Sequence, residues 1–324
     1  MKYNITSIPK KLQFYGLIAL SISLLHLFQF LLFSTQRARY LYFLKYIKKL
    51  KAAPIEKGSP TDYTVYVINR KKDIKRLKSF RDRACKLKVR FEVVHAIDCL
   101  VEGFDFSSYL HLIGESFYGG RNFPKGSIGS FLSHRKTWLR FLETNNKIAF
   151  ICEDDSLLLA KLPLFEAAFK IPEDADIIFA NPRMGEGFYD KESFEMSAKD
   201  LFSYYSLYDA LLKICQKNVY IGGPGLDGYI ITRSGAKKLL DLYDKLKYRM
   251  NNDWFVVFNS LCAAERDAFR KLEGSGRLDH VHLPEGASLK SYVMVPSLVD
   301  LADFETSIRM LDERTFVIKE QMKV

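Results

Sequence analysis

Residues 148–155 read Ile-Ala-Phe-Ile-Cys-Glu-Asp-Asp, an apolar stretch that runs directly into three carboxylates. The apolar part has the composition of a buried strand, and in an open α/β sheet the ligand crevice lies beyond the carboxyl ends of the strands. Successive strand residues point to opposite faces, so we expect Glu153 and Asp155 to converge while Asp154 faces away. Two hard oxygen ligands on one side suit a divalent cation. A strand that ends in solvated acids is the open alternative.

Strand-like and helix-like segments alternate on both sides of this stretch, which predicts an α/β domain with a mostly parallel central sheet covered on both faces. Strands are predicted at residues 63–69, 91–97, 175–180 and 228–232. Helices are predicted at residues 73–88, 127–143 and 234–246, with a further one beginning at Pro163.

The N-terminal part of the chain is first apolar and then basic. Residues 12–33 form an apolar run long enough to cross a bilayer, which favours a membrane anchor over a cleavable signal peptide. Residues 37–51 combine apolar side chains at helical spacing with six Lys and Arg. This pattern is typical of a helix on anionic headgroups, and a helix packed on the globular domain is the alternative. Three basic residues precede the apolar run and six follow it, so the charge bias predicts that the large C-terminal part of the chain lies in the cytoplasm.

Composition narrows the classes of function. The 324 residues carry a formal charge of +11, which favours anionic partners such as nucleotide diphosphates, anionic lipid or nucleic acid. Five cysteines are scattered without CxxC spacing, which argues against a disulfide framework or a structural zinc site. No nucleic-acid-binding motif is visible, so nucleic acid is not an expected partner. The chain also lacks a GxxxxGK[ST] loop and the protein-kinase signature set.

Several polar residues are predicted to reach the mouth of the crevice. Asn69 ends the first strand, and Arg76 follows within the next helical turns; a turn residue and a solvated helix charge are the alternatives. Arg suits a diphosphate because its planar fork donates paired hydrogen bonds. Ser133 and His134 lie within a predicted helix, where a satisfied buried histidine is the alternative to a functional one.

Two later carboxylates are further candidates. Asp227 precedes the strand at residues 228–232 and follows glycines that let the backbone approach a ligand or make a tight turn. Asp253 precedes an apolar run. Its local sequence favours a helix N-cap over a catalytic carboxylate.

Six segments carry a resemblance to a known family. They are Val-Tyr-Val-Ile-Asn at 65–69 with Arg76, residues 91–98, Gly-Ser-Ile-Gly-Ser-Phe-Leu-Ser-His-Arg-Lys-Thr-Trp at 126–138, Phe-Ile-Cys-Glu-Asp-Asp at 150–155, Gly-Tyr-Ile-Ile-Thr-Arg-Ser-Gly-Ala-Lys-Lys-Leu-Leu at 228–240, and Asp253 with Trp254. In this order they resemble glycosyltransferase family 25, the family of lipopolysaccharide β-1,4-galactosyltransferases and their collagen galactosyltransferase relatives. The resemblance spans roughly residues 63–309. It departs from the family pattern at Ser127 and Ser130, where Glu and Cys are common, and at Arg70, where an apolar residue is usual.

The resemblance implies a GT-A-like nucleotide-binding α/β sandwich in which Mn²⁺, or Mg²⁺, helps to hold a UDP-sugar. It implies an inverting transfer of a hexose, with galactose the first candidate, to a glycan or glycolipid acceptor of lipopolysaccharide, lipooligosaccharide or another surface glycan. Glu153 and Asp155 are the expected metal ligands, and Asp253 is the expected base, with Asp227 second. The expected donor-binding residues are Asn69, Arg76, Ser133, His134, Lys136, Asp154, Gly228 and Tyr229.

The predicted organisation has four parts: a membrane anchor at residues 1–36, a basic amphipathic helix and linker at 37–62, a catalytic domain at 63–310 and a polar tail at 311–324. Two other classes of function stay open. One is a different metal-dependent transferase that uses a nucleotide. The other is a membrane-tethered binding protein without enzymatic activity.

Overall fold

The computed structural model describes residues 38–49, 62–114, 122–161, 166–196, 201–217, 224–273, 288–301 and 315–317. The predicted anchor at residues 12–33, the helix start at Pro163 and most of the predicted polar tail lie outside these residues. Among the residues described, no helix is both long and apolar enough to cross a membrane.

The strands and helices follow one another in a mixed α/β order. The strands are β1 (Tyr63–Asn69), β2 (Glu92–His95), β3 (Asn122–Pro124), β4 (Ile148–Glu153), β5 (Ser156–Leu158), β6 (Ile177–Phe179), β7 (Ser203–Ser206), β8 (Gly228–Thr232), β9 (Ser291–Val295), β10 (Val299–Leu301) and β11 (Thr315–Val317). The helices are α1 (residues 38–49), α2 (Ile74–Leu87), α3 (Lys125–Leu142), α4 (Pro182–Gly185), α5 (Lys191–Met196), α6 (Leu207–Gln216), α7 (Arg233–Leu246), α8 (Asn252–Asn259) and α9 (Ala263–Glu273). Two short 3₁₀ helices lie at Ser107–Leu112 and Glu186–Phe188.

A seven-stranded mixed sheet, in the order β2-β1-β4-β8-β6-β9-β7, forms the centre of the fold. β1 is parallel to β2 and β4, and β6 is parallel to β9. β8 runs antiparallel between β4 and β6, and β7 runs antiparallel at the edge. Most strands therefore share one direction, as predicted, but two are reversed. The reversal of β8 matters for function because it pairs Gly228, at the start of β8, with Cys152, near the carboxyl end of β4.

The sheet is buried on both faces. Residues 149–152 of β4 are all buried although their side chains point alternately to the two sides. On one side, α3 packs against α7, with the Trp138 and Tyr243 ring centroids 5.9 Å apart and those of Phe131 and Tyr243 4.5 Å apart. This explains why the central strands read as continuous apolar runs rather than as alternating patterns.

Helix α1 packs on the same folded body. The Phe43 and Tyr46 rings contact the ring of Tyr189 at centroid distances of 5.3 and 5.8 Å, and Tyr46 also contacts Phe194 at 4.9 Å. Tyr46 is completely buried. For this face of the helix, the alternative of packing on the globular domain is confirmed.

Several element boundaries agree with the sequence prediction. The strands at residues 63–69 and 228–232 have the predicted ends. Helix α7 begins one residue earlier than predicted because the Thr232 hydroxyl caps it, accepting a hydrogen bond from the Gly235 N–H at 3.1 Å. Helix α3 begins at Lys125, directly after Pro124, without a side-chain cap.

Gly235 permits a close approach of α7 to the chain that leads into β6. A Cβ atom at this position would overlap the backbone carbonyl of Asp176. Asp176 cannot move away easily, because its carboxylate accepts hydrogen bonds from Ser234 Oγ at 2.8 Å and Lys238 Nζ at 2.6 Å. We expect Gly235→Ala to lower the free energy of unfolding by about 1–3 kcal/mol in a denaturant titration.

Gly185→Ala is the matched control, because the nearest atoms to a Cβ at that helical position are 3.5 Å away, an ordinary van der Waals distance. It should leave the free energy of unfolding within about 1 kcal/mol of the wild type. Equal losses in the two variants would contradict the steric explanation.

Candidate active site

The polar residues predicted from separate segments meet at one edge of the sheet. This edge is formed by the carboxyl ends of β1, β4 and β6 together with the start of β8. The acids at this edge are Glu153, Asp154, Asp155 and Asp227. Their position beyond the strand ends is where open α/β sheets bind ligands.

Asp154 forms a buried polar cluster with Asn69 and Arg76. The Asn69 amide Nδ2 donates to Asp154 Oδ2 at 2.7 Å, and Arg76 Nη1 lies 3.4 Å from Asp154 Oδ1. All three residues are buried, with 2 to 7% of their surface exposed. The alternative of a solvated helix charge at Arg76 is therefore wrong, and Asn69 is more than a turn residue because its side chain holds a carboxylate.

The prediction that Asp154 faces away from Asp155 is wrong. Arg76 Nη1 also contacts Asp155 Oδ2 at 3.3 Å, so Asp154 and Asp155 both face α2. Glu153 instead contacts His134 on α3. The reason is that β4 ends at Glu153 and the chain turns at the next two residues, so strand alternation does not extend to Asp155.

Burial raises the pKa of both aspartates next to Arg76. Desolvation raises the pKa of Asp154 to about 6, against the opposing effects of the Asn69 hydrogen bond and the Arg76 charge. The pKa of Asp155 is raised further, first by desolvation and then by the charges of Glu153 and Asp154, with Arg76 opposing them. Loss of hydration therefore raises the pKa of these two carboxyl groups by more than the neighbouring guanidinium lowers it.

Glu153 is connected to the core by a chain of buried hydrogen bonds. Trp138 Nε1 donates to the Tyr229 hydroxyl at 2.8 Å, and this hydroxyl lies 2.9 Å from His134 Nδ1. His134 Nε2 lies 3.3 Å from Glu153 Oε1. Because the indole can only donate, all of these groups are satisfied when Tyr229 donates to Nδ1 and the Nε2–H donates to the carboxylate. His134 is fully buried, so it orients Glu153 from within the protein.

Asp227 lies beside Glu153 and is held by two residues that the sequence reasoning missed. Asn181 Nδ2 donates to Asp227 Oδ1 at 3.2 Å, and Arg183 Nη2 lies 3.3 Å from Asp227 Oδ2. The Asp227 carbonyl also accepts the Glu153 N–H at 3.3 Å. The sequence did contain a signal for Asn181, because it comes directly after the strand predicted at residues 175–180.

The prediction that Asp253 caps a helix is wrong. Asn251 occupies the N-cap position of α8, which places Asp253 in the first turn. The Asp253 Oδ2 atom instead accepts the backbone N–H of Gly225 at 3.1 Å. Gly225 has a φ of +69°, a conformation that favours glycine. Asp253 is thereby tied to the turn that leads to Asp227, which brings the two late carboxylates to the same side of the sheet.

The remaining predicted donor-binding residues have other contacts. The Ser133 hydroxyl accepts the Ile97 N–H at 2.9 Å and donates to the Gly129 carbonyl at 2.6 Å, which joins α3 to the chain after β2. Lys136 Nζ donates to the His95 carbonyl at 2.8 Å, at the carboxyl end of β2. A Cβ atom at Gly228 would overlap Val299, so this glycine permits close packing against β10.

The predicted metal ligands fit a divalent cation in chemistry but form an incomplete set. Within the described ranges, no three or more His, Cys, Asp and Glu side chains converge to enclose a metal ion. Asp155 Oδ1, however, is buried and accepts no hydrogen bond from the residues described. A carboxylate oxygen in this state is a suitable ligand for Mn²⁺ or Mg²⁺, and Mg²⁺ sites in enzymes commonly use one or two carboxylates with substrate phosphates.

A known protein family matches the region of the chain that forms this site. Residues 62–256, more than half of the chain, match the family model described as glycosyltransferase family 25 (LPS biosynthesis protein). The matched region contains the whole set of candidate residues from Asn69 to Asp253. No curated protein matches the sequence significantly.

The buried hydrogen-bond chain behind Glu153 yields a stability prediction. Tyr229→Phe removes the hydroxyl between Trp138 and His134 and leaves two buried nitrogen atoms without a partner. We expect the free energy of unfolding to fall by about 1–3 kcal/mol in a denaturant titration.

The control for this variant is Tyr292→Phe, which removes an exposed hydroxyl that donates to Asp174 at 2.8 Å. Its effect should stay within about 0.5 kcal/mol, as for most surface substitutions. A loss in Tyr229→Phe no greater than that in Tyr292→Phe would show that the buried chain does not stabilise the fold.

Proposed function

The chain belongs to glycosyltransferase family 25, the LPS biosynthesis family, and we propose that it is a metal-dependent inverting enzyme that transfers a hexose from a UDP-sugar to a glycan or glycolipid acceptor. Galactose is the first candidate for the hexose, and the acceptor class is that of lipopolysaccharide or lipooligosaccharide. We further propose that the mixed α/β sheet is a GT-A-type nucleotide-binding fold.

The observation that carries the proposal is the excess of carboxylate over cationic charge at the strand ends. Four acids meet there, and over the described ranges the arginines that form ion pairs with them are Arg76 and Arg183. A site that bound a diphosphate through these residues alone would add negative charge to negative charge. Asp155 and Glu153 would hold a divalent cation, and its positive charge would offset this repulsion, which supports the proposed metal dependence.

In the proposed chemistry Glu153 and Asp155 hold the metal ion, and neighbouring residues orient the acids. Bound Mn²⁺ or Mg²⁺ would supply a Lewis acid for the charge that develops on the diphosphate leaving group. Arg76 fixes the orientation of Asp154 and Asp155, and His134 fixes that of Glu153. These protein contacts are in place before a donor binds, so the carboxylates need little reorganisation during the reaction.

Asp253 is the first candidate for the base that takes the proton from the acceptor hydroxyl. Asp253 is half-buried and its two oxygens accept the backbone N–H groups of Gly225 and Trp254, whereas Asp227 is almost fully buried and its carboxylate forms an ion pair with Arg183. A base must present a free lone pair to the acceptor. This difference in access supports Asp253 over Asp227.

We also propose that residues 12–33 anchor the protein in a membrane, with the catalytic domain on the cytoplasmic side. Sugar nucleotides are found on that side, and the basic residues that follow the apolar run favour this orientation. A screen of UDP-sugars for metal-dependent release of UDP would identify the donor.

The metal assignment can be tested without measuring turnover. Asp155→Ala should weaken Mn²⁺ binding by about tenfold or more, because it removes a direct ligand. Electron paramagnetic resonance of free Mn²⁺ during a titration measures this change, and UDP release from the preferred UDP-sugar should be lost in parallel.

Asp267→Ala is the control, because this acid is exposed on α9 and its contact is an ion pair with Arg270. It should bind Mn²⁺ like the wild type. Unchanged Mn²⁺ affinity in Asp155→Ala would refute the ligand assignment. Transfer by the wild type in the presence of a chelator would refute metal dependence itself.

The assignment of the base predicts a contrast between two isosteric variants. Asp253→Asn should lower kcat by about 10²–10⁴-fold while leaving the donor Kd unchanged, because it removes the base and, among the contacts of the folded protein, one hydrogen bond to a backbone N–H. Asp227→Asn should also destabilise the protein, because it removes a buried ion pair with Arg183. Steady-state kinetics, donor titration and denaturant unfolding separate the two. Full kcat in Asp253→Asn would transfer the role to Asp227 or another acid.

A further inference from the structure

Helix α1 exposes an apolar surface on the side that faces away from the domain. We call this surface, formed by Tyr40, Leu41, Leu44, Lys45 and Lys48, the outer face of α1. Its three apolar side chains are 59, 51 and 42% exposed, and they are three of the seven large hydrophobic side chains that are exposed over the described part of the chain. Their spacing of three and four residues places them on one side of the helix.

The outer face is also basic. Lys45 and Lys48 are exposed on the same side as the three apolar residues. The sequence contains no Asp or Glu before Glu56, so no acid within the helix neutralises them. A helix that combines large apolar side chains with lysines and lacks acids has the chemistry of an interfacial helix on anionic lipid.

The inner face of α1 fixes the helix to the part of the chain that builds the active site. Tyr189 and Phe194 hold it through the ring contacts with Phe43 and Tyr46. The segment that carries these two rings starts a few residues after Asn181 and Arg183, which contact Asp227. A surface that binds the outer face is therefore held in a defined position relative to the carboxylates.

From these contacts we propose that the outer face of α1 docks the catalytic domain on an anionic bilayer surface, and that this docking accelerates transfer to an acceptor carried by lipid in the same bilayer. The second half rests on the proposed glycosyltransferase function, whereas the first half stands without it.

A lipid surface fits the outer face better than a second copy of the chain does. In a two-fold symmetric contact the outer faces of both copies would meet, which would bring four lysines into one interface without an acid from either helix, and like charges close together oppose association. Anionic headgroups instead attract both lysines while the acyl region accepts the leucines. The apolar run at residues 12–33 also precedes the helix closely in sequence, so an anchor there would keep the outer face at a high effective concentration near the bilayer.

The first experiment uses the full chain reconstituted in vesicles of phosphatidylethanolamine and phosphatidylglycerol. Leu44→Trp places a fluorescent residue on the outer face, and Ile74→Trp places one on α2, at a position that is 72% exposed. The native Trp138 and Trp254 contribute the same background to both variants. We expect a blue shift and quenching by brominated lipid for Leu44→Trp, and neither for Ile74→Trp.

Three outcomes would overturn the docking surface. They are equal quenching of the two variants, no quenching of either, and a Leu44→Trp shift that depends on protein concentration in the absence of vesicles, which would indicate self-association.

The second experiment compares two forms of one acceptor with the same full chain. Rough lipopolysaccharide embedded in the vesicles is the lipid-borne form, and the core oligosaccharide released from it by mild acid is the soluble form. The double variant Leu41→Glu, Leu44→Glu should transfer sugar to the lipid-borne form about tenfold more slowly than the wild type, because it removes two apolar anchors and adds two negative charges. Its rate on the soluble form should be unchanged.

Equal losses on both forms would overturn the link between docking and the acceptor. If the wild type transfers sugar to neither form with any UDP-sugar, the proposed function fails together with the lipid-borne acceptor. The quenching result then decides the docking surface alone.

Discussion

The contact of Arg76 with Asp154 and Asp155 is the constraint on which the site depends. A buried guanidinium without a carboxylate partner, or buried carboxylates without a cation, would be strongly unfavourable. Arg76 lies in the first turn of α2, so the two acids at the end of β4 can keep their positions only while α2 packs beside that end. Asn69, at the end of β1, completes the cluster through its amide. Two strands and one helix are thereby fixed by a single polar cluster.

The reversal of β8 adds the second half of the site. If β8 ran parallel to β4, the residue before it would lie at the opposite edge of the sheet. Its antiparallel direction instead brings Asp227 beside Glu153, and β6 supplies Asn181 to the same place. The charges at the edge are then divided between two arginines on different helices, one on each side of β4. This arrangement explains how acids that are far apart in the sequence lie close enough together to interact electrostatically.

Much of the fold followed from the sequence because the central strands are apolar and β-branched and the helices have clear apolar faces. The ends of β1 and β8 were predictable for this reason. The orientation of Asp155 was not, because the period of two applies only inside a strand and β4 stops at Glu153. The contact of Arg183 with Asp227 was not predictable either, because it depends on the direction of β8, which the local sequence does not encode. The helix start at Asn252 shows the same limit, because a cap is chosen among neighbouring residues by tertiary packing.

The packing of α1 has a practical consequence for making soluble protein. Tyr189 and Phe194 are covered by Phe43 and Tyr46, so a fragment that begins after residue 49 would expose these aromatic rings to water. Contiguous apolar surface of this kind promotes aggregation. A truncation intended to remove only the apolar run should therefore retain residues 38–49. The helix that follows the anchor in sequence belongs, by its packing, to the catalytic body, and the first safe place to cut lies before it.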